Sequence, residues 1–304
     1  MTNIRANTIT ELALLLALAT LWGASYTFIK IGVETIPPIT LIASRTLIAG
    51  AILFATLSGY GMRMPRDAAT WRRFLFQACL NSVVPFTLIA WAERTVDAGL
   101  ATILNSTSPL FAFLLTAAVT RDEALTQRKL FGVVVGLAGT FLIVGIEALG
   151  GLGRDLWAQL AIVTATVCYA GAAIFGKNFK KLDPIMPAAG SLLCGAAILI
   201  PVSLAIDRPW SLTPSSSSIL ALFALSVFST AVAMVIYFRL VHTLGSVGTT
   251  AQAYLRVPVG VAIGVLFLGE HLTATAWAGL TCVIAGVAAM SIPARQSAHG
   301  TKRP

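Results

Sequence analysis

Charge is what this chain has least of. Of its 304 residues only 12 are Asp or Glu, and charged residues of both signs make up 11%, against about 25% in a soluble domain. A surface so poor in charge cannot face water, which excludes an ordinary soluble enzyme or binding module. Histidine is nearly absent as well, being confined to His242, His271 and His299. The four cysteines, Cys79, Cys168, Cys194 and Cys282, each lie within an apolar run, with no CxxC and no histidine at ligand spacing. They read as small buried hydrophobes, so neither a metal site nor a disulfide framework is expected. No HExxH, no GxSxG and no paired acids occur in any apolar stretch. A membrane enzyme would therefore have no reactive cluster, and no cofactor is implied.

Apolar residues are plentiful: 57% of the chain, with a mean hydropathy of +0.85. A helix needs about 20 of them to cross a bilayer. Ten stretches qualify, at roughly 9–33, 38–58, 70–92, 96–119, 127–147, 156–178, 184–206, 216–241, 246–268 and 273–292. The alternating ten-residue pattern of a membrane barrel is missing, so lipid leaves helices as the way to satisfy the backbone. Connections such as Pro37-Pro38, Asp183-Pro184 and the run from Pro214 to Ser218 are too short to hold another domain. The first stretch exceeds a signal-peptide core and is followed by further spans, so it is expected to stay in the protein.

The net charge of +9 does not point to nucleic acid, because the basic residues are strung between apolar stretches without interleaved aromatics. It reads instead as topology, since Lys and Arg are retained on the cytoplasmic side of short loops. With the N-terminus inside, fifteen basic residues fall in the cytoplasm and only Lys30, Arg94, Arg154 and Arg208 opposite, with Arg45 and Arg256 inside spans. Both termini are expected in the cytoplasm, the segment 293–304 as a tail.

At a spacing of about 148 residues the chain matches itself. Phe28, Lys30 and Pro37 answer Phe175, Lys177 and Pro184; Pro109, Glu123, Gly132 and Gly139 answer Pro258, Glu270, Gly279 and Gly286. Five spans per copy is an odd number, which forces the copies into opposite orientations. The expected fold is an all-α membrane protein of ten transmembrane helices in two inverted five-helix repeats, 9–147 and 156–292. Glycophorin-type spacings at Gly132/Gly136 and Gly260/Gly264 are expected to serve close packing within the chain.

Pro109 and Pro258 are equivalent by the repeat and fall near the middle of their spans, where each is a hinge candidate. Proline removes a hydrogen bond to the carbonyl four residues earlier, so Asn105 and Tyr254 are expected to present free carbonyls in mid-membrane. Arg256, two residues before Pro258, is the deepest charge and calls for a partner or a cavity. Arg45, nearer the outer face, either snorkels to the headgroups or lines a pathway. Every carboxylate sits at a span end or in a loop, which disfavours proton coupling through a buried acid; Glu93 is the nearest exception. Trp22, Tyr26, Asn81, Phe86, Trp91, Asn105, Tyr169, Tyr237, Gln252, Tyr254 and Arg256 are the candidates to line a pathway for a small-molecule solute. For the tryptophans, interfacial anchoring is the bland alternative.

The doubled order of features resembles the EamA domains of the drug/metabolite transporter superfamily: mid-span prolines, Glu123 and Glu270 closing the fourth and ninth spans, and glycines in the fifth and tenth. Trp22-Gly23-Ala24-Ser25 with Lys30 is similar to that family's opening helix, whereas the second copy carries Tyr169-Ala170-Gly171. The resemblance implies a bacterial inner-membrane exporter of amino acids or related small metabolites, working by alternating access; the alternative is an exporter of drugs or nucleotide/sugar-type metabolites. Its implied surroundings are the lipid bilayer and a small-molecule solute. Multidrug relatives rely on an acid within the first span, and here only Glu11 and Glu34 flank it.

Overall fold

The computed structural model describes residues 8–92, 95–96, 103–119, 126–145, 149, 152, 154–259 and 274–291, without the side chains of Tyr26 and Lys30. Among the described residues ten apolar helical segments follow one another. They are α1 (Thr8–Gly32), α2 (Pro38–Gly59), α3 (Ala68–Ala92), α4 (Ile103–Val119), α5 (Gln127–Val144), α6 (Leu156–Gly176), α7 (Ile185–Ile206), α8 (Ser216–Thr243), α9 (245–259) and α10 (Ala274–Ser291). Eight are long and apolar enough to cross a bilayer, while α4 and the described part of α9 are shorter. No strand occurs among the described residues, in keeping with the all-helical expectation.

Local chemistry explains where the helices begin. Asp67, Thr126, Asp155 and Ser215 each accept a hydrogen bond from the backbone N–H three residues ahead, and Pro38 opens α2, where its missing N–H costs nothing. Within the spans, hydroxyls fold back on the helix: those of Thr46, Thr56, Thr140 and Thr164 donate to the carbonyl four residues earlier. These four threonines therefore sit in an apolar helix without an unmet donor.

Polar ties mark the two ends of the bundle. On the first face, Glu11 in the opening turn of α1 meets Arg239 and Thr243 near the end of α8, and the Thr116 and Ser246 hydroxyls lie 3.1 Å apart between α4 and α9. On the second face, Asp207 after α7 accepts from the backbone N–H and hydroxyl of Thr40 in α2, and Thr95 donates to Asp155 ahead of α6. The Thr95 hydroxyl and the Ala158 N–H hold the Asp155 carboxyl below its usual range. A lowered pKa means this tie is present at neutral pH and is lost only as pH falls through the lowered value. α1 thus runs from the first face to the second and its counterpart α6 from the second to the first. The repeats are inverted.

The inversion shows in how counterparts pack. A Cβ built on Gly132 of α5 would lie 2.6 Å from the Gly286 carbonyl oxygen of α10, and one on Gly139 would lie 2.7 Å from the Gly279 carbonyl oxygen. Gly132 answers Gly279 and Gly139 answers Gly286 in the repeat, so this antiparallel seam crosses each glycine with its counterpart's neighbour. α2 and α7 form the second such pair, with the Thr40 and Ser203 hydroxyls 2.8 Å apart and Gly50 against Leu193. Gly132 and Gly136 pack within the chain as expected, the latter against the Tyr254 ring. Gly260 and Gly264 lie outside the described residues.

A second symmetric device was not legible beforehand. α3 and α8 each contain a π-helical insertion, at Cys79–Val83 and Val227–Val232, whose starts are 148 residues apart. A proline at Pro85 follows the first, but Ala233 follows the second, so proline is not the common cause. The extra residue widens the turn, and in α8 the Thr230 hydroxyl reaches the carbonyl of Leu225 five residues back.

The two prolines do not form matching kinks. In α4 the helix breaks at Ser106-Thr107 and restarts at Ser108, leaving Pro109 in the first turn, where it removes no hydrogen bond. The Asn105 carbonyl is not left free: it accepts from the Ser108 hydroxyl at 3.0 Å. In α9 the interruption is at Ala251, seven residues before Pro258, and helix runs over 252–259. Equivalent prolines thus follow breaks at non-equivalent positions.

Candidate solute-binding cavity

A cavity of about 430 Å³, its mouth included, opens between the two repeats. Trp22, Ser25 and Ile29 line it from α1, Arg45 from α2, Phe86 and Ile89 from α3, Tyr169 from α6 and Arg256 from α9. Trp22 and Tyr169 are repeat counterparts, which brings the two opening helices to one chamber. Ile29, Arg45 and Ile89 belong to the second-face halves of their helices. The first-face half beneath is filled by Leu15, Leu18, Phe74, Phe179 and Phe238, all fully buried.

Arg45 is 2% exposed. It does not snorkel; its side chain turns inward because the π turn of α8 offers it acceptors. Nε donates to the Thr230 hydroxyl at 2.5 Å and Nη2 to the Ser229 carbonyl at 3.3 Å, while the guanidinium lies 4.1 Å over the Phe86 ring. Charge-assisted hydrogen bonds contribute about 1.5–3 kcal/mol each and a desolvated cation–π contact about 2 kcal/mol. An arginine at the bilayer centre costs at least about 2.5 kcal/mol on insertion scales. These neutral partners hold the charge without cancelling it. Across the cavity Arg256 stands 5.3 Å over the Trp22 ring, and its Nε donates to Gln252 Oε1 at 2.9 Å. Ser25 donates to the Trp22 carbonyl at 2.6 Å, fixing the rim of α1.

Of the sequence candidates, Trp22, Phe86, Tyr169 and Arg256 meet at this cavity. Gln252 and Tyr237 stand behind it, the former orienting Arg256 and the latter packed at a tilt against Trp22, 5.6 Å between ring centroids. Asn81 lies in the π turn of α3 and donates to Met234 Sδ. Three candidates lie elsewhere. Tyr254 is fully buried against Gly136, and its hydroxyl donates to the Val133 carbonyl at 2.9 Å, so it ties α9 to α5. Asn105 is buried at the α4 break, away from the cavity lining, and Trp91 is 48% exposed at the second-face end of α3. The side chain of Tyr26 lies outside the described residues, as does Glu93. Ser25, Ile29 and Ile89 were missed for want of any signal beyond helical phase. Thr230 and Ser229 could have been found only by knowing that α8 widens there.

Two copies of one sequence pattern match the EamA-like transporter family, over residues 9–145 and 156–292. The chain belongs to the EamA-like transporter family. Curated relatives align over nearly the whole of this EamA-like chain. An inner membrane transporter of Escherichia coli K12, called YedA and described as uncharacterized, is 27% identical over 91% of this chain and 89% of its own length. A probable amino-acid metabolite efflux pump of Salmonella typhimurium is 28% identical, covering 90% and 92%. A probable terminal-alkyne amino-acid exporter of Streptantibioticus cattleyicolor is 27% identical, covering 90% and 91%. A crystal structure described only as that of a protein superposes with a TM-score of 0.74 at 20% identity over 93% of this chain and 99% of its own, which shows the same fold. The chain is a multi-pass membrane protein, and its family is one of transporters rather than enzymes.

Proposed function

We propose that this chain exports amino acids or related small carboxylate metabolites across the bacterial inner membrane by alternating access. The observation that carries the reading is the cavity itself: two arginines, each over an aromatic ring, face one chamber between inverted repeats. Guanidinium groups suit carboxylates, and the rings suit an apolar body. Two relatives are named for amino-acid export or amino-acid metabolite efflux, which supports the same class. The excess of basic residues on the first face supports cytoplasmic termini, so that the cavity opens toward the outside.

Buried polar atoms beneath the cavity support a second state. Gln77 Oε1, Ser82 Oγ and Ser229 Oγ have no hydrogen-bond partner among the described residues, and Ser82 and Ser229 lie one in each π turn. Each such group costs about 1–3 kcal/mol while dry, and an opening of the first-face half would wet all three.

Flux of labelled amino acids and their metabolites into liposomes carrying the purified chain tests the proposal. Transport above empty vesicles for at least one carboxylate is the expected result, and none for any removes the substrate class. Two arginines oppose a cationic drug, so overexpression should protect cells against toxic amino-acid analogues and leave sensitivity to cationic dyes unchanged. Protection against dyes alone would favour the drug reading. In the same liposomes Pro258→Ala is expected to slow turnover about tenfold with less than a twofold change in half-saturation, if the interrupted α9 bends during exchange. Unchanged flux discards the hinge.

A further inference from the structure

We propose that the solute accepted by the cavity carries a net negative charge, as an aryl or branched carboxylate without a free ammonium, and that Arg45 selects for it. This rests on the transport reading above and narrows it. A zwitterion brings an ammonium that needs a carboxylate, a carbonyl or an aromatic face. Among the described residues, none of the eight that line the cavity is acidic. The rings of Phe86 and Trp22 each already carry a guanidinium, at 4.1 and 5.3 Å. An ammonium placed there would meet like charge in a water-poor setting, where repulsion is screened least. Tyr169, the third ring among the described lining residues, stands 6.4 Å from Phe86 and so within the field of Arg45.

The balance of charge points the same way. Arg45 is buried on neutral acceptors, and its Nη1 makes no hydrogen bond among the described residues. A buried cation whose partners among the described residues are a threonine hydroxyl, one carbonyl and a ring keeps most of its demand for an anion. Its repeat counterpart falls at Leu192-Leu193, so the charge belongs to one side of the chamber and gives the solute a direction. Isoleucines 29 and 89 and the rings supply an apolar wall for the rest of the molecule.

The test compares near-isosteric compounds. The full chain is reconstituted in vesicles of phosphatidylethanolamine and phosphatidylglycerol and offered radiolabelled phenylpyruvate, N-acetylphenylalanine, phenylalanine and phenethylamine at equal concentration. The two anions are expected to cross about tenfold faster than phenylalanine, the worth of one charge-assisted contact, and phenethylamine not at all. Arg45→Gln should bring the ratio of phenylpyruvate to phenylalanine flux close to one, whereas Arg45→Lys should keep it above about threefold; a merely structural arginine would lower both fluxes and leave the ratio alone. The wild-type ratio decides the matter even where a variant fails to fold. Phenylalanine crossing as fast as the anions, or faster, overturns the inference and leaves the transport reading standing. No flux of any of the four overturns the inference, and the wider panel of amino acids and metabolites then decides the transport reading.

Discussion

Gly286→Val is expected to leave almost no folded protein. A Cβ built on Gly286 would lie 2.7 Å from the Gly132 carbonyl oxygen, 2.7 Å from the Gly136 nitrogen and 2.8 Å from the Gly136 Cα. All three are backbone atoms, so no rotamer change relieves the clash and α5 must move off α10. The rest of the seam loses its fit as well, since Gly139 and Gly279 stand two turns away under the same constraint. Overpacking a tight core costs about 1–3 kcal/mol for a few methylenes, and membrane helices rely on close backbone approach in place of a hydrophobic drive. We expect Gly286→Ala to cost about 2–3 kcal/mol and valine more, read as lost monodisperse protein and a lowered Tm in detergent. Gly59→Ala is the control, because nothing lies within 4 Å of its Cβ position. Wild-type yield and melting for Gly286→Val would refute the packing account.

Glu11→Gln is expected to open the first face. Glu11 is fully buried, with Oε1 2.9 Å from Arg239 Nη2 and Oε2 accepting from Thr243 at 2.8 Å. This clamp joins α1 to α8 below the cavity, on the side that is filled in the present state. Arg239 is a third exposed, so the pair is worth less than the 3–5 kcal/mol of a fully buried one. A loss of about 1.4 kcal/mol shifts a two-state equilibrium tenfold. With the four native cysteines replaced, a cysteine introduced at Leu18 should react with a hydrophilic maleimide about tenfold faster in the Glu11→Gln background. Exchanging the two charges, as Glu11→Arg with Arg239→Glu, should return the rate toward the wild-type value. An unchanged rate in the single variant would mean that the clamp is structural only.

Much of the fold was readable because lipid leaves a chain few options. Apolar run length set the helices, and the repeat with an odd number of spans set their inversion. Gly132, Gly139, Gly279 and Gly286 were visible as matching positions of the repeat and close packing was expected at Gly132 and Gly136, although nothing in one dimension said that each glycine would cross its counterpart's neighbour. Pro109 does not free the carbonyl expected of it: a break at Ser106-Thr107 puts it inside a first turn, and the Ser108 hydroxyl takes up the Asn105 carbonyl. Tyr254 was a reasonable cavity candidate by depth, but helical phase turns it onto Gly136.

Composition and periodicity alone determined that this is a helical membrane protein of two opposed halves, because both follow from the energetics of placing each residue in hydrocarbon. Which polar residues share a chamber was decided only in three dimensions. Arg45 meets Thr230 across 185 positions of chain, and it does so because an extra residue in one turn of α8 aims a hydroxyl and a carbonyl at it. Side-chain direction at such a turn depends on backbone phase and on the neighbour's approach, and neither is written in the local pattern of apolar and polar residues.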